Sequence, residues 1–104
     1  MTRTTLCALA DIPAGTARRF DVDRHRLALV RIGDDVYVLS DECSHEDYSL
    51  SEGEVFEEER EIECWKHGST FSLETGRPQC LPATQPVAVY VAGVENGEVW
   101  VELS

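Results

Sequence analysis

Two short runs in this 104-residue chain combine the side chains that bind metal ions most strongly: Cys43-Ser44-His45 and, after eighteen intervening residues, Cys64-Trp65-Lys66-His67. Thiolate and imidazole suit borderline and soft metals. One Cys–His pair could arise by chance. Two matched pairs, each beside a segment that reads as a strand end, point to two loops meeting at one metal site. A structural zinc site with two cysteines and two histidines normally uses C-x2–4-C and H-x3–5-H spacing. Here each run supplies one cysteine and one histidine. That pattern leaves structural zinc as the weaker alternative and suits a [2Fe–2S] cluster with two cysteines on one iron and two histidines on the other.

The elements that must hold these loops read as short strands. Residues 27–32 (LALVRI) and 36–39 (VYVL) are rich in β-formers and flank Gly33-Asp34-Asp35, which predicts a hairpin. Residues 87–91 and 99–103 alternate apolar and polar side chains around Asn96-Gly97, a dipeptide whose residues both tolerate φ > 0. Residues 5–9 read as an edge strand and 17–22 as another. Residues 62–64 and 70–73 read as short strands entering or leaving loops. Thr75-Gly76-Arg77-Pro78 is a turn, and Pro82 and Pro86 delay the next strand. No long amphipathic helix, repeat or linker interrupts the pattern. The expectation is a single all-β domain over residues 1–104, a small antiparallel sandwich with a metal-binding segment at about 41–86.

Charge narrows the partners. The net charge is −11, and residues 41–63 alone hold eleven acids against Arg60. Nucleic acid and anionic membrane need the opposite sign, whereas a basic protein face is complementary. Glu57, Glu58 and Glu59 are consecutive and free of any metal role, so they are the natural candidates for a docking face; the alternative is a solvated surface that only aids solubility. No apolar run approaches the ~18 residues that span a bilayer. Residues 1–13 lack the apolar core of a secretory signal, so the expected location is cytoplasmic. Four cysteines in that setting argue for metal or redox use rather than disulfides. Cys7 and Cys80 read as ordinary small apolar residues, His25 as a surface residue, and Trp100 and Phe20 as core.

The run from Cys43-Ser44-His45 to Cys64-Trp65-Lys66-His67-Gly68-Ser69-Thr70-Phe71 resembles the paired C-x-H and C-x-x-H-G loops of Rieske [2Fe–2S] proteins. The similarity extends over about residues 27–103. It implies a small antiparallel β-sandwich with a cluster-binding subdomain at one tip, ligated by Cys43, His45, Cys64 and His67, with the histidines near the surface. Residues 81–83 resemble the proline-containing loop that covers the cluster in relatives. The departures inform as well. High-potential relatives place a bracing disulfide where this chain has Tyr48 and Lys66, and a tyrosine hydroxyl where it has Phe71, though Ser69 is kept. Fewer donors to sulfur imply a potential in the lower part of the family range.

The resemblance implies a soluble ferredoxin that is not itself an enzyme. It would pass single electrons from a flavin-dependent reductase to a non-haem iron oxygenase with a basic docking face. The run from Cys43 to Ser51 also resembles stand-alone Rieske ferredoxins that accompany iron–sulfur cluster assembly. A structural zinc module is the remaining alternative.

Overall fold

A computed structural model describes residues 2–22, 24–41, 49–64, 70–79 and 86–103. Ten strands occur among them: β1 (Thr2–Ala8), β2 (Thr16–Val22), β3 (His25–Ile32), β4 (Asp35–Ser40), β5 (Val55–Phe56), β6 (Glu61–Glu63), β7 (Thr70–Ser72), β8 (Val89–Tyr90), β9 (Ala92–Glu95) and β10 (Glu98–Leu103). They form three antiparallel sheets, ordered β1-β10-β9, β2-β3-β4-β8 and β5-β6-β7. The all-β antiparallel expectation is met. Two 3-10 turns, Leu9–Asp11 and Leu50–Glu52, complete the regular structure.

The four-stranded sheet is the middle layer, and β3 shows why. Successive side chains on a strand point to opposite faces. In β3 both faces are apolar: Leu27 and Leu29 join one core with Val38, Val99, Val101 and Leu103, while Ala28, Val30 and Ile32 join a second with Leu39, Leu50, Ile62, Cys64, Phe71 and Leu73. The first core seats the β1-β10-β9 sheet, and the second seats the β5-β6-β7 sheet. Each sheet buries one apolar face, which is what a layered β architecture requires.

The two expected hairpins differ in detail from the sequence pattern. Gly33 (φ 61°) turns β3 into β4, with Ile32 opposite Asp35. Asn96 and Gly97 both adopt positive φ (52° and 76°), but the strand they return to β10 is β9, not residues 87–91. A two-residue turn joins the residues that flank it directly. Val89 and Tyr90 pair instead with Leu39 and Val38 of the middle sheet, and the chain changes sheets at Val91, whose carbonyl accepts the Glu102 amide at 2.8 Å. Trp100 is likewise displaced from the expected core. In β10 the residues Val99, Val101 and Leu103 face inward, so Trp100 faces out, half-buried, with the Arg3 guanidinium 3.8 Å from its ring centroid. Phe20 packs at the margin of the first core.

Candidate metal centre

The strands deliver the chain to three necks, two leading into the Cys–His runs and the third into the expected covering loop. At the first, β4 ends at Ser40, Asp41 follows it, and the chain returns at Ser49 and Leu50. The Leu50 amide donates to the Asp41 carbonyl at 2.6 Å, and the Asp41 amide to the Arg26 carbonyl at 2.9 Å. Cys43 and His45 lie between, outside the described residues. At the second, β6 and β7 form a hairpin whose last pair is Glu63 with Thr70. Cys64 follows β6 directly; His67 lies outside the described residues. At the third, the Gln79 amide donates to the Thr70 carbonyl at 2.7 Å, and the Val87 amide to the Gly76 carbonyl at 2.9 Å. Cys80 and the expected covering loop at 81–83 fall in between, again outside the described residues.

The first two necks are tied to one another. Gly53 lies against the Glu63 carbonyl, and the Glu63 amide donates to the Glu54 carbonyl at 2.9 Å. Leu50 and Cys64, each fully buried, belong to one apolar cluster with Phe71. The described frame therefore brings together the exit of the first loop and the entry of the second. Cys64 suits a metal thiolate, being a soft donor at a strand end, held among Ile62, Phe71 and Leu73 and screened from water. With those two ends adjacent, one cysteine and one histidine from each run make a donor set that suits a binuclear cluster.

Asp41 is the site residue that the sequence did not single out, except as one acid among eleven. Its side chain is fully buried. One carboxylate oxygen accepts the Ser51 amide at 2.8 Å, and the other accepts the Ser49 hydroxyl. The Ser49 and Ser51 hydroxyls are 2.8 Å apart. Arg26 Nε lies 3.4 Å from the carboxylate and Arg19 Nε 3.9 Å, so the buried charge is matched. The sequence offers only an acid two residues before Cys43 with serines at 49 and 51, which by itself does not set Asp41 apart from the other acids.

The three glutamates picked out by sequence lie elsewhere. Glu57, Glu58 and Glu59 are exposed in the turn between β5 and β6, at the end of the hairpin away from Cys64. β6 separates them from that neck by about 10 Å at ~3.3 Å per residue. Glu57 folds its carboxylate against Gly15, where an added Cβ would meet it at 3.0 Å. Exposed acids nearer the necks are Glu52 and Glu54. His25 is half-buried rather than free on the surface, its ring edge-on to Tyr90 at 5.9 Å between centroids. Cys7 packs against the first core, as its small apolar character predicts. Burial, and then Asp11, push its thiol pKa up, against a smaller lowering by Arg18.

Comparison with known proteins gives the constellation a context. The model of the Rieske [2Fe-2S] domain matches residues 2–91. The chain is 40% identical over 103 residues to the 3-phenylpropionate/cinnamic acid dioxygenase ferredoxin subunit of Escherichia coli (strain K12), covering 99% of this chain and 95% of that one. Its fold is similar to the ferredoxin of carbazole 1,9a-dioxygenase from Nocardioides aromaticivorans IC177, with a TM-score of 0.93, 37% identity and 97% of each chain covered. It is also similar to a chain in a complex of reduced oxygenase and oxidized ferredoxin in carbazole 1,9a-dioxygenase, with a TM-score of 0.87, 40% identity, and 95% of this chain and 100% of that chain covered.

Proposed function

Since the chain belongs to the Rieske [2Fe–2S] domain family and its cofactor is a Rieske-type cluster, we propose that it is the one-electron carrier of a dioxygenase system. One domain carries it, with the cluster segment at about residues 41–86. When bound, the cluster accepts and returns a single electron. Cys43 and Cys64 would hold one iron, and His45 and His67 the other. Cys64 brings its thiolate from a buried strand end. The observation that carries this reading is the end-to-end match to a dioxygenase ferredoxin subunit, at 40% identity over 99% of this chain.

A flavin-dependent reductase upstream and a non-haem iron oxygenase downstream complete the scheme, in the cytoplasm. Among the described residues no helix is long and apolar enough to cross a membrane. The partner presents a basic face, and among the described residues Glu52 and Glu54, exposed beside the necks, are acids placed to meet it. Steering by such charges raises the encounter rate and weakens with salt.

The test is reconstitution with a flavin reductase and a Rieske oxygenase of a related dioxygenase system. The purified protein should show a Rieske-type visible and EPR spectrum, take up one electron per cluster from the reductase, and return it to the oxygenase. Stoichiometric zinc without iron would overturn the cofactor assignment. A cluster that is reduced but never reoxidised by any oxygenase tried would point instead to cluster assembly.

A further inference from the structure

Asp41 does more at its neck than a strand end requires. The backbone already joins the two sides through the Asp41 carbonyl and the Leu50 amide. The side chain adds a second clasp, one oxygen on the Ser51 amide and the other on the Ser49 hydroxyl. A buried carboxylate loses its hydration, and an apolar residue of similar size would fill the space without that cost. What an apolar residue could not do is hold the entering and returning chains together across residues 42–48. The carboxylate has one acceptor for each of two donors on the returning chain, and Arg26 and Arg19 stand behind it.

We propose that Asp41, acting through Ser49 and Ser51, is the positioning residue that presents Cys43 and His45 to the cluster. This rests on the assignment of those two residues as ligands. The loop is closed at its base by groups that belong to the chain itself, so the ligand geometry does not depend on the metal alone. Preorganised support of this kind fixes ligand orientation and tunes the metal. The carboxylate also places a negative charge two residues before Cys43. Reduction adds negative charge to the same region, so removing the carboxylate should make reduction easier.

Three variants of the full holoprotein test this: Asp41→Asn, Ser49→Ala and Ser49→Thr. Asp41→Asn keeps the shape but turns one acceptor into a donor and sheds the charge. It should raise the midpoint potential, broaden the EPR lines of the reduced protein, and speed bleaching by an iron chelator about tenfold, the factor that one lost hydrogen bond is worth. Ser49→Ala should broaden the lines and speed bleaching, while Ser49→Thr, which keeps the hydroxyl, should restore wild-type behaviour. Wild-type EPR lines and bleaching in both Asp41→Asn and Ser49→Ala would overturn the proposal, even if the melting temperature fell. If Asp41→Asn fails to fold, the Ser49 pair decides alone. His45→Ala, measured in parallel, separates the two readings. Loss of its Rieske signal upholds the ligand assignment whatever the neck variants do, and retention of that signal removes the assignment.

Discussion

Gly53 and Glu63 touch so closely that a Cβ on Gly53 would fall 1.5 Å from the Glu63 carbonyl oxygen. The contact joins the chain leaving the first ligand loop to the strand that ends at Cys64. Gly53 has φ −84°, a value open to any residue, so closeness and not conformation requires the glycine. Gly53→Ala must push the two necks apart. We expect a loss of about 1–3 kcal/mol, as is typical of overpacking, seen as a lower melting temperature, together with reduced cluster content. An alanine variant with wild-type iron content and stability would show that the necks do not need this contact.

His45→Cys and His67→Ala should each abolish the Rieske EPR signal, because a neutral imidazole is replaced by a thiolate or by nothing. His45→Cys is expected to shift the spectrum toward that of an all-cysteine cluster or to lose iron. The check is low-temperature EPR with iron and sulfide analysis of the same samples.

Phe71 is fully buried on β7, opposite Ile62 and in one apolar cluster with Cys64. Phe71→Tyr should raise the midpoint by giving a ligand sulfur a hydroxyl donor, about 40 mV for a hydrogen bond of ~1 kcal/mol. A hydroxyl buried there without a partner would instead cost about 1–3 kcal/mol of stability and leave the potential alone. Ser69→Ala should move the midpoint the other way. Redox titration beside thermal unfolding separates these outcomes.

Replacing Glu57, Glu58 and Glu59 together with Gln should leave the rate of reduction by a flavin reductase within about twofold of wild type at low salt, since β6 lies between that turn and the neck. Replacing Glu52 and Glu54 should slow reduction at low salt and leave it unchanged at high salt, where screening removes steering. Stopped-flow rates across a salt series make the comparison. A marked slowing in the triple variant alone would move the docking face to the far turn.

Strand positions were legible because β-formers and turn residues alternate so regularly: β3, β4 and β10 lie where the apolar pattern puts them, and Asn96-Gly97 turns as its composition demands. The layering was harder to read. In β3 every residue from Leu27 to Val30 is buried, so alternation vanishes and the strand could belong to any packed sheet. Cys64 was legible by type and spacing. Asp41 was not, because its importance comes from burial and from arginines fifteen and twenty-two residues earlier. The position of Glu57, Glu58 and Glu59 at the far turn was not legible, because consecutive acids say nothing about which end of a hairpin they occupy.

Arg60 is the lone base among the acids of residues 41–63, held at φ 57° in the turn before β6. Its carbonyl accepts the Leu73 amide at 2.9 Å, and its guanidinium reaches Asp35 and the Tyr37 hydroxyl, each at 3.3 Å, on the β3–β4 hairpin. The β5-β6-β7 sheet is thus fastened to the middle sheet by Arg60 at its far turn, while the 3-10 turn Leu50–Glu52 that leads into β5 is fastened to the same middle sheet by Asp41. A body held at one place can pivot; a body held at two cannot pivot without breaking one of them. A partner that presses on the cluster end therefore meets a mount that resists tilting, so the gap an electron must cross is set by how the two surfaces fit rather than by give within the carrier.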